Sequence, residues 1–152
     1  MFKRLLVILS LVLFATNVYG FTFDGFVLGS HRDAIIDQLI GKTIIKADEE
    51  VIMFSEIDKK LPRITSLMFE NNVLYGVFLL IPKNKISYYS LKNSLERKFG
   101  VIFDPGEPGK EHALLSEEIG LVLDETTISN ISFHVVACLN VPLATGKGLI
   151  DF

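Results

Sequence analysis

Apolar residues recur with a helical period in two places along this chain and alternate as strands through most of the rest. Phe21 to Leu28 is aromatic-rich and reads as a short opening strand. Ser30-His31-Arg32-Asp33 then forms a capping-box-like start, with Asp33 standing where Glu or Gln is usual. Ile35, Ile36, Leu39 and Ile40 fall on one side of the helix that follows, and Asp33, Asp37 and Gln38 on the other. Gly41 is placed to close it in the left-handed conformation. Residues 42–47, 51–57, 64–69 and 73–81 read as strands. Asp48-Glu49-Glu50, the Ile57 to Pro62 connection and a tight Glu70-Asn71-Asn72 hairpin separate them.

Pro82 ends this meander, and a second helix is expected from Ser87 to Phe99. Tyr88, Leu91, Leu95 and Phe99 line one of its sides, and Gly100 closes it. A short strand at 101–103, an Asp104 to Gly109 turn cluster and a strand at 119–123 follow. A polar turn at Asp124 to Thr127 leads to a last strand over 128–138. There Ser129, Ile131, Phe133, Val135 and Ala137 share the largely apolar face, and Ile128, Asn130, Ser132, His134 and Val136 the largely polar one. Pro142 and Gly146-Lys147-Gly148 make the C-terminal stretch a loop ending in apolar Leu149, Ile150 and Phe152.

These elements predict an α+β fold, an antiparallel sheet packed by two short helices in an αβββ–αββ order. Each half runs from a helix through a closing glycine into strands. Ile64-x-x-Leu67-x-Phe69 in the first half parallels Ile128-x-x-Ile131-x-Phe133 in the second, at unequal distances from Gly41 and Gly100. The likeness is either a tandem duplication or a shared architecture.

The strand at 73–81 is apolar on both faces: Val73, Tyr75, Val77, Leu79 and Ile81 on one, Leu74, Gly76, Phe78 and Leu80 on the other. Both faces therefore need cover. Two short helices serve one side of a sheet, leaving the other to the C-terminal segment, a partner protein or an apolar ligand. Burying one Leu, Val or Phe is worth about 1.5–3 kcal/mol, so leaving four exposed would cost several kcal/mol. Tyr75, Val77, Phe78, Leu79 and Leu80 are the candidate interface residues.

The N-terminus reads as an export signal. Lys3 and Arg4 precede an apolar run from Leu5 to Ala15, and Val18 and Gly20 suit the small-residue cleavage positions. As a helix that run spans about 16 Å of a bilayer core about 30 Å thick, too little to cross it. Cleavage after Gly20 leaves residues 21–152 as one soluble domain, periplasmic or extracellular, touching the membrane only in transit. The chain carries 15 Lys+Arg and 18 Asp+Glu. Losing Lys3 and Arg4 makes the mature part more acidic still, which disfavours a nucleic-acid partner. No cysteine lies just after the apolar run to take a lipid.

Candidate chemistry is sparse. Cys138, the single cysteine, and His134 share a strand face four residues apart, about 13 Å at about 3.3 Å per residue, where a thiol and its base need about 3 Å. His31, His112 and His134 have no metal-ligand spacing, so no metal and no cofactor is expected. Glu49-Glu50 and Glu117-Glu118 read as solvated turn charges, and neither Asp104 to Gly109 nor Gly146 to Gly148 has the phosphate-loop pattern. Asn130-Ile131-Ser132 is a glycosylation sequon within the expected last strand.

Leu28-Gly29-Ser30 opening a short helix that ends at Gly41, an aromatic strand after it, and the Phe69-Glu70-Asn71-Asn72-Val73-Leu74 hairpin together resemble small exported proteins of the beta-lactamase-inhibitor-like type, with which the SmpA/OmlA outer-membrane assembly lipoproteins share a unit. The resemblance covers about residues 25–81 and implies an α+β architecture and protein binding. The expectation is an exported, non-enzymatic protein-binding domain. A carrier of an apolar small molecule or lipid is the alternative, and an exported hydrolase the third.

Overall fold

The computed structural model describes residues 20–105 and 110–149. The expected export signal, apart from Gly20, lies outside the described residues, as do 106–109 of the turn cluster and the apolar residues Ile150 and Phe152.

The fold is α+β. A hairpin of β1 (Thr22–Phe23) and β2 (Phe26–Val27) is followed by α1 (Arg32–Gln38) and a meander of β3 (Thr43–Ala47), β4 (Val51–Glu56), β5 (Arg63–Glu70) and β6 (Val73–Pro82). Then come α2 (Tyr88–Phe99) and a second meander, β7 (Asp104–Pro105), β8 (Glu111–Leu114), β9 (Ile119–Ile128) and β10 (Ile131–Asn140), with α3 (Val141–Gly146) at the end. The eight strands from β3 onward form one antiparallel sheet in the order β3-β4-β5-β6-β10-β9-β8-β7. Each half is thus a helix and a four-stranded meander, and β6 meets β10 at the centre, with Phe78 opposite Ala137 and Leu79 opposite Val136.

Each half therefore has four strands in the main sheet: the four segments read in the first half all form strands, the αβββ–αββ order undercounts both halves, and the equivalent landmarks differ from those the sequence suggested. Ile64 to Phe69 lies within β5, whereas Ile128 to Phe133 straddles the end of β9, a turn and the start of β10. What the halves share is a left-handed glycine after the helix, Gly41 and Gly100, and a two-residue hairpin with positive φ at both residues, Asn71-Asn72 and Ser129-Asn130. The glycine-to-turn distances agree to within one residue. Such turns match the right-handed twist of the flanking strands, and Asn tolerates their backbone angles. The final turn is therefore at Ser129-Asn130. Asp124 to Thr127, expected as a turn, continues β9, and the sequon asparagine sits at a hairpin tip.

The helices begin and end for local reasons. Ser87 caps α2, its Oγ accepting from Ser90 N–H at 3.2 Å, and Gly100 closes it at φ 66°. For α1 the cap is His31 rather than Ser30: Nδ1 accepts from Asp33 N–H at 3.4 Å. Ser30 instead spends its carbonyl on Leu74 N–H, one of several backbone bonds that lay residues 29–32 along Asn72 to Leu74. The β1–β2 hairpin, turned at Asp24-Gly25 with positive φ at both, was not expected, nor were β7 and β8: residues 101–103, read as a strand, lie outside every strand, and β7 opens the expected turn cluster. The expected C-terminal loop begins as α3, capped by Asn140, whose Oδ1 accepts from Leu143 N–H at 3.1 Å.

The main core lies on one face of the sheet, between the strands and a layer made by α1, α2 and the β1–β2 hairpin. Ile35 and Leu39, then Leu91 and Leu95, face Ile52, Phe54, Leu67, Phe69, Val77, Leu79, Leu121, Val136 and Cys138. Phe23 stacks on Phe99, centroids 5.7 Å apart. A smaller core of Val122, Ala137, Leu139 and Ala144 closes α3 onto the opposite face. Both faces of the two central strands are thereby covered in part. In β10 it is the set His134, Val136 and Cys138 that meets the helices, because β9 and β6 fix its register, while Phe133, Val135 and Ala137 face the other way.

Candidate interaction surface

The five candidate interface residues are split by the structure. Val77 (0% exposed) and Leu79 point into the helix-covered core, so the chain's own helices already occupy that side. Leu74 joins them rather than Phe78, because β5 and β6 slip register between Met68↔Gly76 and Phe69↔Leu74, leaving Tyr75 as the extra residue of a bulge. Tyr75 is buried, with Lys147 Nζ 5.6 Å from its ring centroid and Glu70 holding the same ammonium at 2.6 Å. Phe78 and Leu80 face away from α1 and α2. Leu80 is buried and Phe78 half-buried, packed against the small second core. A cavity of about 100 Å³ lies there, lined by Phe78, Val122, Val135, Ala137 and Leu149 among others. Val77 and Leu79 thus offer no contact to a partner, and the Phe78 side retains only a small recess.

A group of exposed aliphatic side chains lies elsewhere, at the α1–β3 margin of the sheet, besides exposed residues such as Ile57, Ile102 and Ile131 on other elements. Ile40 is 83% exposed and Ile45 54%, with Ile36 and Ile44 exposed beside them. All five residues of β3 are exposed, and β3 is an outer strand of the sheet. Ile36, Leu39, Ile40, Ile44, Ala47 and Ile52, with Arg32, line a groove of about 330 Å³. The amphipathic pattern of 35, 36, 39 and 40 is real, but α1 stops at Gln38. Two turns bury only the i, i+4 pair Ile35 and Leu39 and leave Ile36 and Ile40 on an open flank. The signal for this margin was the adjacent pair Ile44-Ile45 between Lys42 and Lys46, the gatekeeper pattern of an edge strand. Nothing in residue spacing states which strand lies outermost.

An ionic network stiffens the same end. Glu56 (side chain 5% exposed) accepts from Lys42 Nζ at 3.0 Å, Arg63 Nε at 3.1 Å and Thr65 Oγ1 at 2.9 Å. Arg63 also grips both carboxylate oxygens of Asp24, at 2.5 and 2.6 Å, which ties the β1–β2 turn to β5. Burial pushes the Glu56 carboxyl up, but the hydrogen bonds from Lys42 and Thr65 and the charge of Arg63 outweigh it and hold the group below its ordinary value. For Asp24 burial prevails over Arg63 and raises the carboxyl. At the exposed corner Asp48 accepts from Lys46 Nζ and from the N–H groups of Val51 and Glu50, which hold it low.

The chemistry-bearing residues are placed as structural ones. Cys138 is fully buried and its thiol is pushed up to about 12 by burial. His134, on the same face, is also buried, with Nε2 donating to Ile86 O at 3.0 Å and Nδ1 3.4 Å from Glu125 Oε1. Tyr88 is pushed up to about 12 by burial and by the nearby Glu111 carboxylate, which Lys92 pairs at 2.9 Å. These groups fasten α2 to β8, β9 and β10. Among the described residues no group of three or more His, Cys, Asp or Glu side chains could hold a metal ion. A second cleft, of about 390 Å³, lies between the β1–β2 hairpin, the start of β6 and α3, with Phe21, Tyr75, Glu118 and Leu143 in its walls. No described helix is long and apolar enough to cross a membrane.

No protein-family model, no curated protein and no solved structure matches this chain.

Proposed function

We propose that this protein is an exported, non-enzymatic module that binds another protein through the α1–β3 margin. The observation that carries the reading is the run of exposed aliphatic side chains, Ile36, Ile40, Ile44 and Ile45, along an outer strand whose five residues are all exposed. Contiguous apolar surface of this kind costs solubility and is kept where a partner covers it. A free strand edge adds a row of backbone donors and acceptors for an incoming strand. The resemblance of residues 25–81 to small exported inhibitor-like proteins points the same way, and the Lys-Arg and apolar pattern of residues 1–20 supports export.

The test is retention of a cross-linked protein partner, a second copy included, when the tagged protein is purified from the cells or medium that produce it. Ile40→Asp is expected to abolish retention, and Ile128→Asp, at the far hairpin, to leave it intact. Equal retention by wild type and both variants refutes the reading.

A carrier of an apolar small molecule is the second reading, favoured by the aliphatic lining of the groove of about 330 Å³. It requires a lipid-sized adduct in native mass spectrometry of the gently purified protein.

A further inference from the structure

We infer that residues 150–152, which lie outside the described residues, fold back as a strap over the recess on the sheet face opposite α1 and α2, with the phenyl ring of Phe152 seated against Phe78, Val135 and Ala137. The inference is independent of the reading of the α1–β3 margin and concerns the other side of the two central strands.

The recess is a gap in the cover of that side. Phe78, Ala137 and Val122 are cross-strand neighbours on β6, β10 and β9, and Leu80, Val135 and Asp124 form the row beside them. From α3, Ala144 packs into the small second core with Val122, Ala137 and Leu139, and Phe78 and Val135 are left half-buried. The space that remains is about 100 Å³. That is the scale of one ring: a cavity of about 150 Å³ holds benzene, whereas small-molecule pockets start near about 300 Å³. The recess is therefore too small for a lipid and suits a single side chain.

The chain is led to this place. Leu149 is itself part of the recess wall. Its position is fixed by the end of α3, where Gly148 turns the chain at φ 69°. Gly148 N–H donates to Thr145 O and Leu149 N–H to Ala144 O, each at 3.0 Å, and Lys147 is held by Glu70 at 2.6 Å. Ile150, Asp151 and Phe152 come next. Three residues reach up to about 11 Å, and the row from Phe78 to Val122 crosses two strand spacings, about 9.5 Å, so Phe152 can reach any part of it.

Attachment also selects the occupant. Docking of the chain's own ring is intramolecular, so a free apolar group competes against an effective concentration in about the millimolar range. Charge agrees with this. Asp124 on the rim accepts from Glu125 N–H at 2.7 Å, and exposed Lys110 beside it supplies a positive charge for Asp151. A closed strap completes the second core and withdraws Phe78 from any partner.

The test is a nuclear Overhauser experiment between aromatic rings and valine methyl groups, on the protein expressed from its full coding sequence. Cross-peaks from the Phe152 ring to the Val135 and Val122 methyls are expected. Their absence overturns the inference. Thiol accessibility is the second readout, with Val135→Cys and an aromatic disulfide reagent. With Phe152 in place this thiol is expected to react at least about tenfold more slowly than in the protein that also carries Phe152→Ala. Ile57→Cys, at an exposed position, is expected to react alike in both backgrounds. Equal rates at position 135 with and without the Phe152 ring contradict the strap, whether or not the α1–β3 margin binds a partner.

Discussion

Removing the Glu56 carboxylate tests whether the ionic network carries the end of the sheet on which the proposed binding margin rests. Glu56 is held by three donors between 2.9 and 3.1 Å, and its side chain is 5% exposed. Glu56→Gln keeps the volume but removes the charge, leaving Lys42 without its carboxylate and Arg63 with Asp24 alone. Hydrogen bonds to a charged group contribute about 1.5–3 kcal/mol each, and breaking one side of a buried ion pair costs about 3–5 kcal/mol. Gln can still accept one bond and Arg63 keeps one partner, so the expected loss is about 2–4 kcal/mol. That is a large fraction of a typical stability of about 5–15 kcal/mol.

Urea unfolding at neutral pH reads this loss as a lower midpoint with an unchanged slope. The pH dependence gives a second readout. Because the folded-state pKa of Glu56 is depressed, its contribution is complete above the ordinary carboxyl value and is lost as pH falls through the folded value. The gap between wild type and Glu56→Gln is therefore expected to narrow on acidification. Asp24, whose carboxyl is raised, works in the opposite sense, so Asp24→Asn is expected to cost less than Glu56→Gln at neutral pH. A Glu56→Gln protein within about 0.5 kcal/mol of wild type, or a gap that does not change with pH, refutes the reasoning.

The other expected outcomes concern the core, the turns and the thiol. Leu67→Ala, at a fully buried position between the helices and the sheet, is expected to lose about 2–5 kcal/mol in the same unfolding assay. Asn72→Ala puts a Cβ without a compensating amide at φ 63° and is expected to cost about 1 kcal/mol, whereas Asn72→Gly is expected to hold or raise the midpoint. Cys138 is expected to resist an aromatic disulfide reagent at neutral pH until urea unfolds the chain, since its thiol is buried and pushed up to about 12. Ile40→Asp, on an open flank, is expected to leave unfolding within about 0.5 kcal/mol of wild type.

Much of the architecture is legible in the residues. The Gly100 close, the Ser87 cap and the Asn71-Asn72 hairpin are local features whose physics needs only a few neighbouring residues, whereas Gly41, left-handed as expected, lies two residues beyond the Leu39 that ends α1. The doubly apolar strand at 73–81 is central for the reason its composition implies: β5 and β10 flank it, and side chains cover both its faces. What was not legible depends on distant pairing. Asp124 to Thr127 looks like a turn because it is polar. It is strand because Glu125 pairs across to His134 and reaches Lys83, so its polar side chains are accommodated at the hairpin end. The Asp24-Gly25 turn was readable from its dipeptide, but the aromatic residues around it masked the signal. The exposed α1–β3 margin was hidden most deeply, because Ile36 and Ile40 obey the amphipathic pattern of a longer helix. Only the end of α1 at Gln38 and the outermost place of β3 expose them.

The most direct test of the binding margin is amide hydrogen exchange across Thr43–Ala47, with the protein dilute and then held in the complex that its producing cells yield. A covered edge should slow exchange in this segment while β8 (Glu111–Leu114), near the opposite margin, keeps its rate. Exchange through Thr43–Ala47 that is equally fast in both conditions would contradict the account.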